Sequence, residues 1–253
     1  MFNYKLIMSY DGTPYHGWQM QENALSVQQC LSEAVERIFG EKCTIYGSSR
    51  TDKGVHAMGF CCNFRSEKER DCEKVAYGLN AVLPETICVL SCEIASESFN
   101  ARFDAKGKEY IYKIWNSRRR NPFLLDKALH HPIPIDSEML NIQAKDYIGT
   151  HDFSAFCAAG GTTLSNVRTI FDCSVEREGD LVTFRVKGDG FLYNMVRIMA
   201  GTLLYVAEGK IKPEEIPDII KSGHRSKAGI TAIPAGLYLN KVFYGSEMNE
   251  DKT

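Results

Sequence analysis

Between residues 47 and 60 the chain reads GSSRTDKGVHAMGF, its densest run of glycine, serine and ionisable side chains. Arg50, Asp52 and His56 fall between two stretches that read as strands, in a connection longer than a simple hairpin needs, and function concentrates in such loops. A carboxylate placed there suits glycosyl chemistry, in which it holds or stabilises a sugar while the bond to its substituent is broken. An isolated Asp-x-Gly more often only shapes a turn, so Asp52 and Gly54 need support from elsewhere in the chain to count as more than that. Histidine offers no competing centre. His16, His56, His130, His131, His151 and His224 are scattered, without the i, i+4 pairing beside a carboxylate that a zinc hydrolase helix carries.

Support comes from a set of motifs in one order. The stretch Arg50-Thr51-Asp52-Lys53-Gly54-Val55-His56-Ala57 resembles the signature of the tRNA pseudouridine synthase A family. SYDGTPYHGWQMQ from Ser9 is similar to that family's first-strand loop, and FNARFDAKGKEYIYKI from Phe99 to its Ala-Arg-Phe and Tyr-x-Tyr region. GTHDFSAF from Gly149, GDGFLYNMVRIMAG from Gly188 and AGLYL from Ala235 resemble its second-half motifs. The resemblance implies isomerisation of uridine to pseudouridine at positions 38 to 40 of the tRNA anticodon stem-loop. That reaction has no net redox change and needs no cofactor and no metal. By the same resemblance Asp52 is the nucleophile, Arg197 the basic partner that keeps its carboxylate charged, and Tyr110 the tyrosine that stacks on the base and takes part in proton transfer. Leu237 lines the other side of the base. Arg50 fills the place of the extruded nucleotide, for which a planar guanidinium is suited, and Arg102 binds the RNA. The family acts as a homodimer in which two subunits grip one tRNA. Ser48, Ser49, Lys53, Phe60 and Glu109 depart from its usual pattern; none removes a catalytic group, and they bear on RNA specificity, Lys53 and Glu109 through the local charge they change.

The elements that must carry these residues follow from periodicity. Residues 3–10 alternate as a strand, and Ser26 caps a helix whose Val27, Leu31, Ala34, Val35 and Ile38 recur at helical spacing until Gly40. Strands over 43–47, 55–64 and 86–94, with a helix over 70–81 stopped before Pro84, complete a β-α-β-β-α-β unit. A strand over 108–116 sets Tyr110, Tyr112 and Ile114 on one face. A helix over 136–147, strands over 169–177 and 181–187, a helix over 191–206 and a strand over 237–244 then repeat the rhythm. The expected fold is α+β: two similar split-βαβ, ferredoxin-like units in a pseudouridine synthase fold, with a mixed, mainly antiparallel central sheet and a catalytic cleft between the halves. The expected domains are 1–106, carrying the Asp52 loop, and 107–245, followed by a polar tail over 246–253.

Bulk properties limit the alternatives. The 253 residues, 44% hydrophobic and 25% charged, suit one large or two compact globular domains, and no apolar run is long enough to span a bilayer. With no signal-peptide pattern at the start, the expected location is the cytoplasm, without membrane attachment. The nine cysteines lack a Cys-x-x-Cys pair and read as reduced, buried thiols. A net charge of −2 means that any RNA surface is local. Candidate patches are Arg102 with Lys106 and Lys108, the run Arg118-Arg119-Arg120, Arg185 with Lys187, and Arg225 with Lys227. Two other readings remain open at this point. One is a non-catalytic tRNA-binding protein; the other is an RNA N-glycosidase, which would want a second carboxylate across the scissile bond.

Overall fold

In a computed structural model, which describes residues 1–161 and 163–245, the chain divides into two compact units. One comprises Met1–Lys106 together with the chain from Tyr238 onward, and the other Gly107–Leu237. The proposed tail over 246–253 lies outside the described residues. Ten strands and five α-helices are present among the described residues, and strand pairing is mainly antiparallel, so the fold is the α+β arrangement expected.

In the first unit, β1 (Phe2–Tyr10) is central, antiparallel both to β3 (His56–Ser66) and to β4 (Ile87–Ala95). The register aligns Tyr4 with Phe64, Leu6 with Cys62 and Met8 with Phe60, which gathers the buried side chains of alternate positions. Helices α1 (Val27–Phe39) and α2 (Cys72–Val82) carry the complementary apolar stripes, Val27, Leu31, Val35 and Phe39 on one and Val75 and Leu79 on the other. Tyr4 stacks on Phe64 at 5.2 Å and meets Phe39 edge-on at 5.1 Å. Helix α1 starts where the Ser26 hydroxyl accepts from the Gln29 amide at 3.2 Å, and it stops at Gly40, whose φ of 66° is left-handed. The short β2 (Ile45–Gly47) pairs antiparallel with β3. Strand β10 (Leu237–Tyr244) comes from the far end of the sequence and runs parallel to β3, with Tyr238 opposite His56 and Leu239 opposite Ala57.

In the second unit, β5 (Ala105–Trp115) pairs with β9 (Leu181–Gly188), β9 with β8 (Val167–Glu178) and β8 with β7 (Gly149–Asp152), all antiparallel. A two-residue strand, β6 (Leu129–His130), lies parallel to the end of β5. The helices are α3 (Ser137–Ala144), α4 (Met195–Ala207) and α5 (Ile216–Ser222). Tyr147, Phe153, Phe156 and Phe184 are fully buried, and the Tyr147 hydroxyl reaches the Met199 carbonyl of α4 at 3.3 Å.

Helix α4 begins later than its apolar pattern suggests, at Met195 rather than Phe191. Asn194 takes up the left-handed region at φ 58°, a conformation that ends any helix running into it, and a turn closed by the Met195 amide on the Leu192 carbonyl at 3.0 Å stands there instead. Helical spacing alone would set Tyr193 and Asn194 close to one face with Arg197 and Gly201; the late start of α4 leaves both outside the helix. All nine cysteines are free, but only Cys30, Cys61, Cys62 and Cys173 are buried and Cys88 is exposed, which corrects the expectation of nine buried thiols.

Candidate active site

Asp52 sits in the loop between β2 and β3, and that loop is buckled to the one following β1. The Trp18 amide donates to the Thr51 carbonyl at 3.1 Å, and the Gly54 amide to the Tyr15 carbonyl at 3.3 Å. The hydroxyls of Tyr10 and Thr51 share a buried hydrogen bond of 2.8 Å. His56, 1% exposed, accepts the Gly12 amide on Nδ1 at 3.1 Å, and its ring stacks on Tyr238 at 4.5 Å. Glycine is required at the closest approaches. A Cβ on Gly17, whose φ is 89°, would lie 2.3 Å from the Thr51 carbonyl oxygen, and one on Gly12 would lie 1.9 Å from that of Val55.

Within this frame Thr51 is buried, Arg50 is exposed and Asp52 is half-buried. The Val55 amide closes a turn onto the Asp52 carbonyl at 3.1 Å. Phe60, one of the departures from the family pattern, has a packing role: it is fully buried and stacks on Trp18 with ring centroids 4.1 Å apart. Tyr238, beside His56, has its hydroxyl pushed up to about 12 by burial and secondarily by the charge of Asp11.

The other unit carries Tyr110, Arg197 and Leu237. Tyr110 is 7% exposed on β5 and meets the Phe191 ring edge-on at 5.1 Å. Tyr112 is fully buried, and its hydroxyl donates to the Ile233 carbonyl at 2.8 Å; burial holds that phenol above its ordinary range, against a smaller opposing effect from Arg197. The half-buried Arg197 donates from Nε to the Ala232 carbonyl at 2.7 Å and from a terminal nitrogen to Asn194 Oδ1 at 2.8 Å. Segment 229–233 comes close enough to accept because Gly201, one helical turn after Arg197, has no side chain; a Cβ there would meet the Ile230 carbonyl oxygen at 1.9 Å. The Thr202 hydroxyl accepts the Gly229 amide at 2.9 Å and fixes the same segment. Leu237 is 6% exposed at the start of β10.

The Ala232 carbonyl was not singled out by the sequence reading, which placed Asn194 only by helical spacing near the face of Arg197, and Phe191 entered only as the expected helix start. The i, i+3 spacing of Asn194 and Arg197 was the one available sign of their bond.

The basic patches separate once their partners are seen. Arg185 pairs with Glu109 at 2.8 Å, Lys187 is buried, and Arg225 donates to the Gly229 carbonyl at 2.8 Å and to the Thr231 hydroxyl at 3.1 Å. Arg185 and Arg225 thus bond within their own unit. Glu109, another departure, has its charge matched on the neighbouring strand. Arg102 is exposed beside the exposed Phe103, its guanidinium 5.6 Å from the ring centre, and Arg118–Arg120 are all exposed. Among the described residues no group of three or more histidine, cysteine, aspartate or glutamate side chains is placed to hold a metal ion, and no helix is long and apolar enough to cross a membrane.

The family model described as tRNA pseudouridine synthase matches residues 6–104 and 143–245. The chain belongs to the tRNA pseudouridine synthase family. It is 46% identical to a protein named tRNA pseudouridine synthase A from Thermoanaerobacter sp. (strain X514), over 96% of this chain and all of that one. The protein of that name from Acetivibrio thermocellus is also 46% identical with the same coverage, and tRNA pseudouridine synthase A 2 from Clostridium perfringens is 44% identical over 96% of this chain and all of its own. A chain in the crystal structure of a Cbf5-Nop10-Gar1 complex overlaps 95% of this chain and 59% of its own at a TM-score of 0.39 and 11% identity, too distant a likeness to bear on the site. The pseudouridine synthase match leaves out residues 105–142, so β5 with Tyr110 and the loop after it rest on the full-length relatives.

Proposed function

We propose that this chain isomerises uridine to pseudouridine in tRNA, at positions 38 to 40 of the anticodon stem-loop, with Asp52 as the nucleophile. The observation that carries the reading is family membership over nearly the whole chain, with the family's aspartate motif on a loop whose backbone is pinned on both sides of Asp52. The reaction breaks the bond from N1 of the base to C1′ of the ribose and forms one from C5 to C1′, and the hydrogen on C5 leaves as a proton. Electrons balance without a redox partner, so no cofactor is called for.

Asp52 holds the sugar carbon or the base while the two are apart, which requires an ionised carboxylate; the guanidinium of Arg197 favours that form. Tyr110 stacks on the freed base and moves a proton, and Leu237 bounds the base on its other side. Arg50 takes the place left in the RNA by the flipped nucleotide, and Arg102 holds phosphate. In this reading the protein works in the cytoplasm as a homodimer whose two copies grip one tRNA.

Incubation with tRNA tritiated at uridine C5 is expected to release tritium into water. Asp52→Asn is expected to reduce release to background while tRNA affinity stays within a few-fold of wild type. Wild-type protein that binds tRNA and releases nothing would end the enzymatic reading. Tritium release with pseudouridine mapped outside 38 to 40 would end only the assignment of position.

A further inference from the structure

The segment that joins β5 to β6 forms an open groove of about 650 Å³ in the second unit, lined by Trp115, Arg118, Arg119, Arg120 and Phe123 among others. All three arginines are exposed, and none of their guanidinium groups makes a hydrogen bond or ion pair among the described residues. The one acidic side chain of the lining is Asp180. Three adjacent fixed positive charges are conspicuous in a chain whose net charge is −2, and they contrast with Arg185 and Arg225, which are spent on partners within the fold.

The groove is exposed, yet its backbone is held. The Trp115 indole donates to the Arg119 carbonyl at 2.9 Å, and His130 Nε2 is bonded to the Ser117 carbonyl at 2.9 Å. Asn121 Oδ1 accepts the Phe123 amide at 3.0 Å and caps a single 3-10 turn over Pro122–Leu124. That turn leaves Phe123 90% exposed and Leu125 73% exposed. An exposed aromatic ring beside unpaired guanidinium groups is the combination that grips nucleic acid by phosphate contact and base stacking. An acidic peptide would satisfy the charge, but only a nucleic acid offers a stacking face at every unit alongside its anionic backbone.

We propose that the Arg118–Arg120 groove is a second RNA-holding surface, in which the guanidinium groups bind the phosphate backbone of the tRNA and Phe123 stacks on an unpaired base. It is separate from the reacting uridine. Trp115 and Tyr110 are five residues apart on β5, which at strand rise sets them roughly 16 Å apart and on opposite faces. The proposal rests on the tRNA-modifying reading given above, and it predicts a contribution to binding rather than to the chemical step.

The test compares full-length wild type, the triple variant R118A/R119A/R120A, the charge-preserving R118K/R119K/R120K, and Phe123→Ala. Affinity for whole tRNA is measured across a potassium chloride series, with tritium release at saturating tRNA. Losing three phosphate contacts should make the slope of log affinity against log salt shallower by about two to three for the alanine triple variant. The lysine triple variant should keep most of that slope. Phe123→Ala should bind about tenfold more weakly with the slope unchanged, because stacking does not release counterions. Release at saturation should stay within about twofold of wild type for all of them, a twofold change being well under 1.4 kcal/mol on the activation barrier. An alanine triple variant with the wild-type slope and affinity would overturn the proposal, as would a fall in saturated release with the slope unmoved. Absence of release by wild type would count against the enzymatic reading alone, since the salt series reads the groove independently.

Discussion

Tyr110 and Tyr112 are the same residue type two positions apart on one strand, and they hold different positions. Tyr112 is fully buried and its hydroxyl is committed to the Ile233 carbonyl, whereas Tyr110 keeps a sliver of exposure and packs edge-on against Phe191, ahead of the helix that carries Arg197. Removing the Tyr112 hydroxyl deletes a part-buried hydrogen bond to the carbonyl of the exposed Ile233, at a cost of about 1 kcal/mol. Tyr112→Phe is therefore expected to lower the unfolding free energy in urea by that amount, with release at saturating tRNA changed less than about threefold, a factor that corresponds to under 1.4 kcal/mol. Tyr110→Phe is expected instead to lower release about 100-fold, the loss typical of a missing proton-transfer group. A Tyr112→Phe protein as inactive as Tyr110→Phe would reassign the catalytic phenol. The arginines make the same point about residue type. Arg118 and Arg225 look alike in sequence, and only their surroundings separate a free guanidinium from one that closes a loop on Gly229 and Thr231.

The loop after β1 acts on the loop before β3 as a clamp, and Gly17 is where the two backbones touch most closely on the Asp52 side. Its φ of 89° and the 2.3 Å approach to Thr51 leave no space for a methyl group, so Gly17→Ala must push the Thr51–Asp52 backbone away. Backbone strain of this kind costs about 1–3 kcal/mol, but a displacement of about 1 Å at a reacting group costs roughly 100-fold in rate. Gly17→Ala is expected to show a melting point lower by a few degrees and release at saturating tRNA lower by about 100-fold, with tRNA affinity retained. Full activity in a folded Gly17→Ala protein would mean that the clamp does not position Asp52. Much of this element pattern was legible beforehand: the period-2 run in β1, the Ser26 cap and Gly40 stop of α1, and the order of strands and helices in the first half all follow from local rules. The Asp52 loop and the loop after β1 were legible as motifs, but not their clasp, which is made of backbone amides and carbonyls that no side-chain pattern encodes. Strands β6 and β7 are too short to show a period, α5 is a seven-residue helix with a proline in its first turn, and the start of α4 was obscured because Phe191 and Leu192 continue its apolar stripe into a left-handed turn at Asn194.

Chain order and spatial order part company in the first unit, because the strand beside His56 and Ala57 comes from Tyr238 and Leu239. Strand β10 gives that unit buried Leu239 and Phe243, the ring over His56, and a Tyr244 hydroxyl that donates to the Ala101 carbonyl at 2.6 Å while its ring meets Phe99 at 5.2 Å. Burial keeps the Tyr244 hydroxyl far above its ordinary range, so it remains a donor at any physiological pH. The first 106 residues thus contain β1 to β4 and both helices of their unit but lack the strand that borders the downstream end of the Asp52 loop. A chain ending at Leu237 should bury less and leave one edge of β3 unpaired next to that loop. Amide exchange in such a protein is expected to quicken at His56 and Ala57 by at least about tenfold, equivalent to about 1.4 kcal/mol of lost protection, while Ile45–Gly47 and the β1 amides exchange near their wild-type rates. Tritium release should fall with it. Unchanged exchange at residues 55 to 58 together with full release would show that the loop is held by its clamp alone and that β10 serves the first unit only as packing.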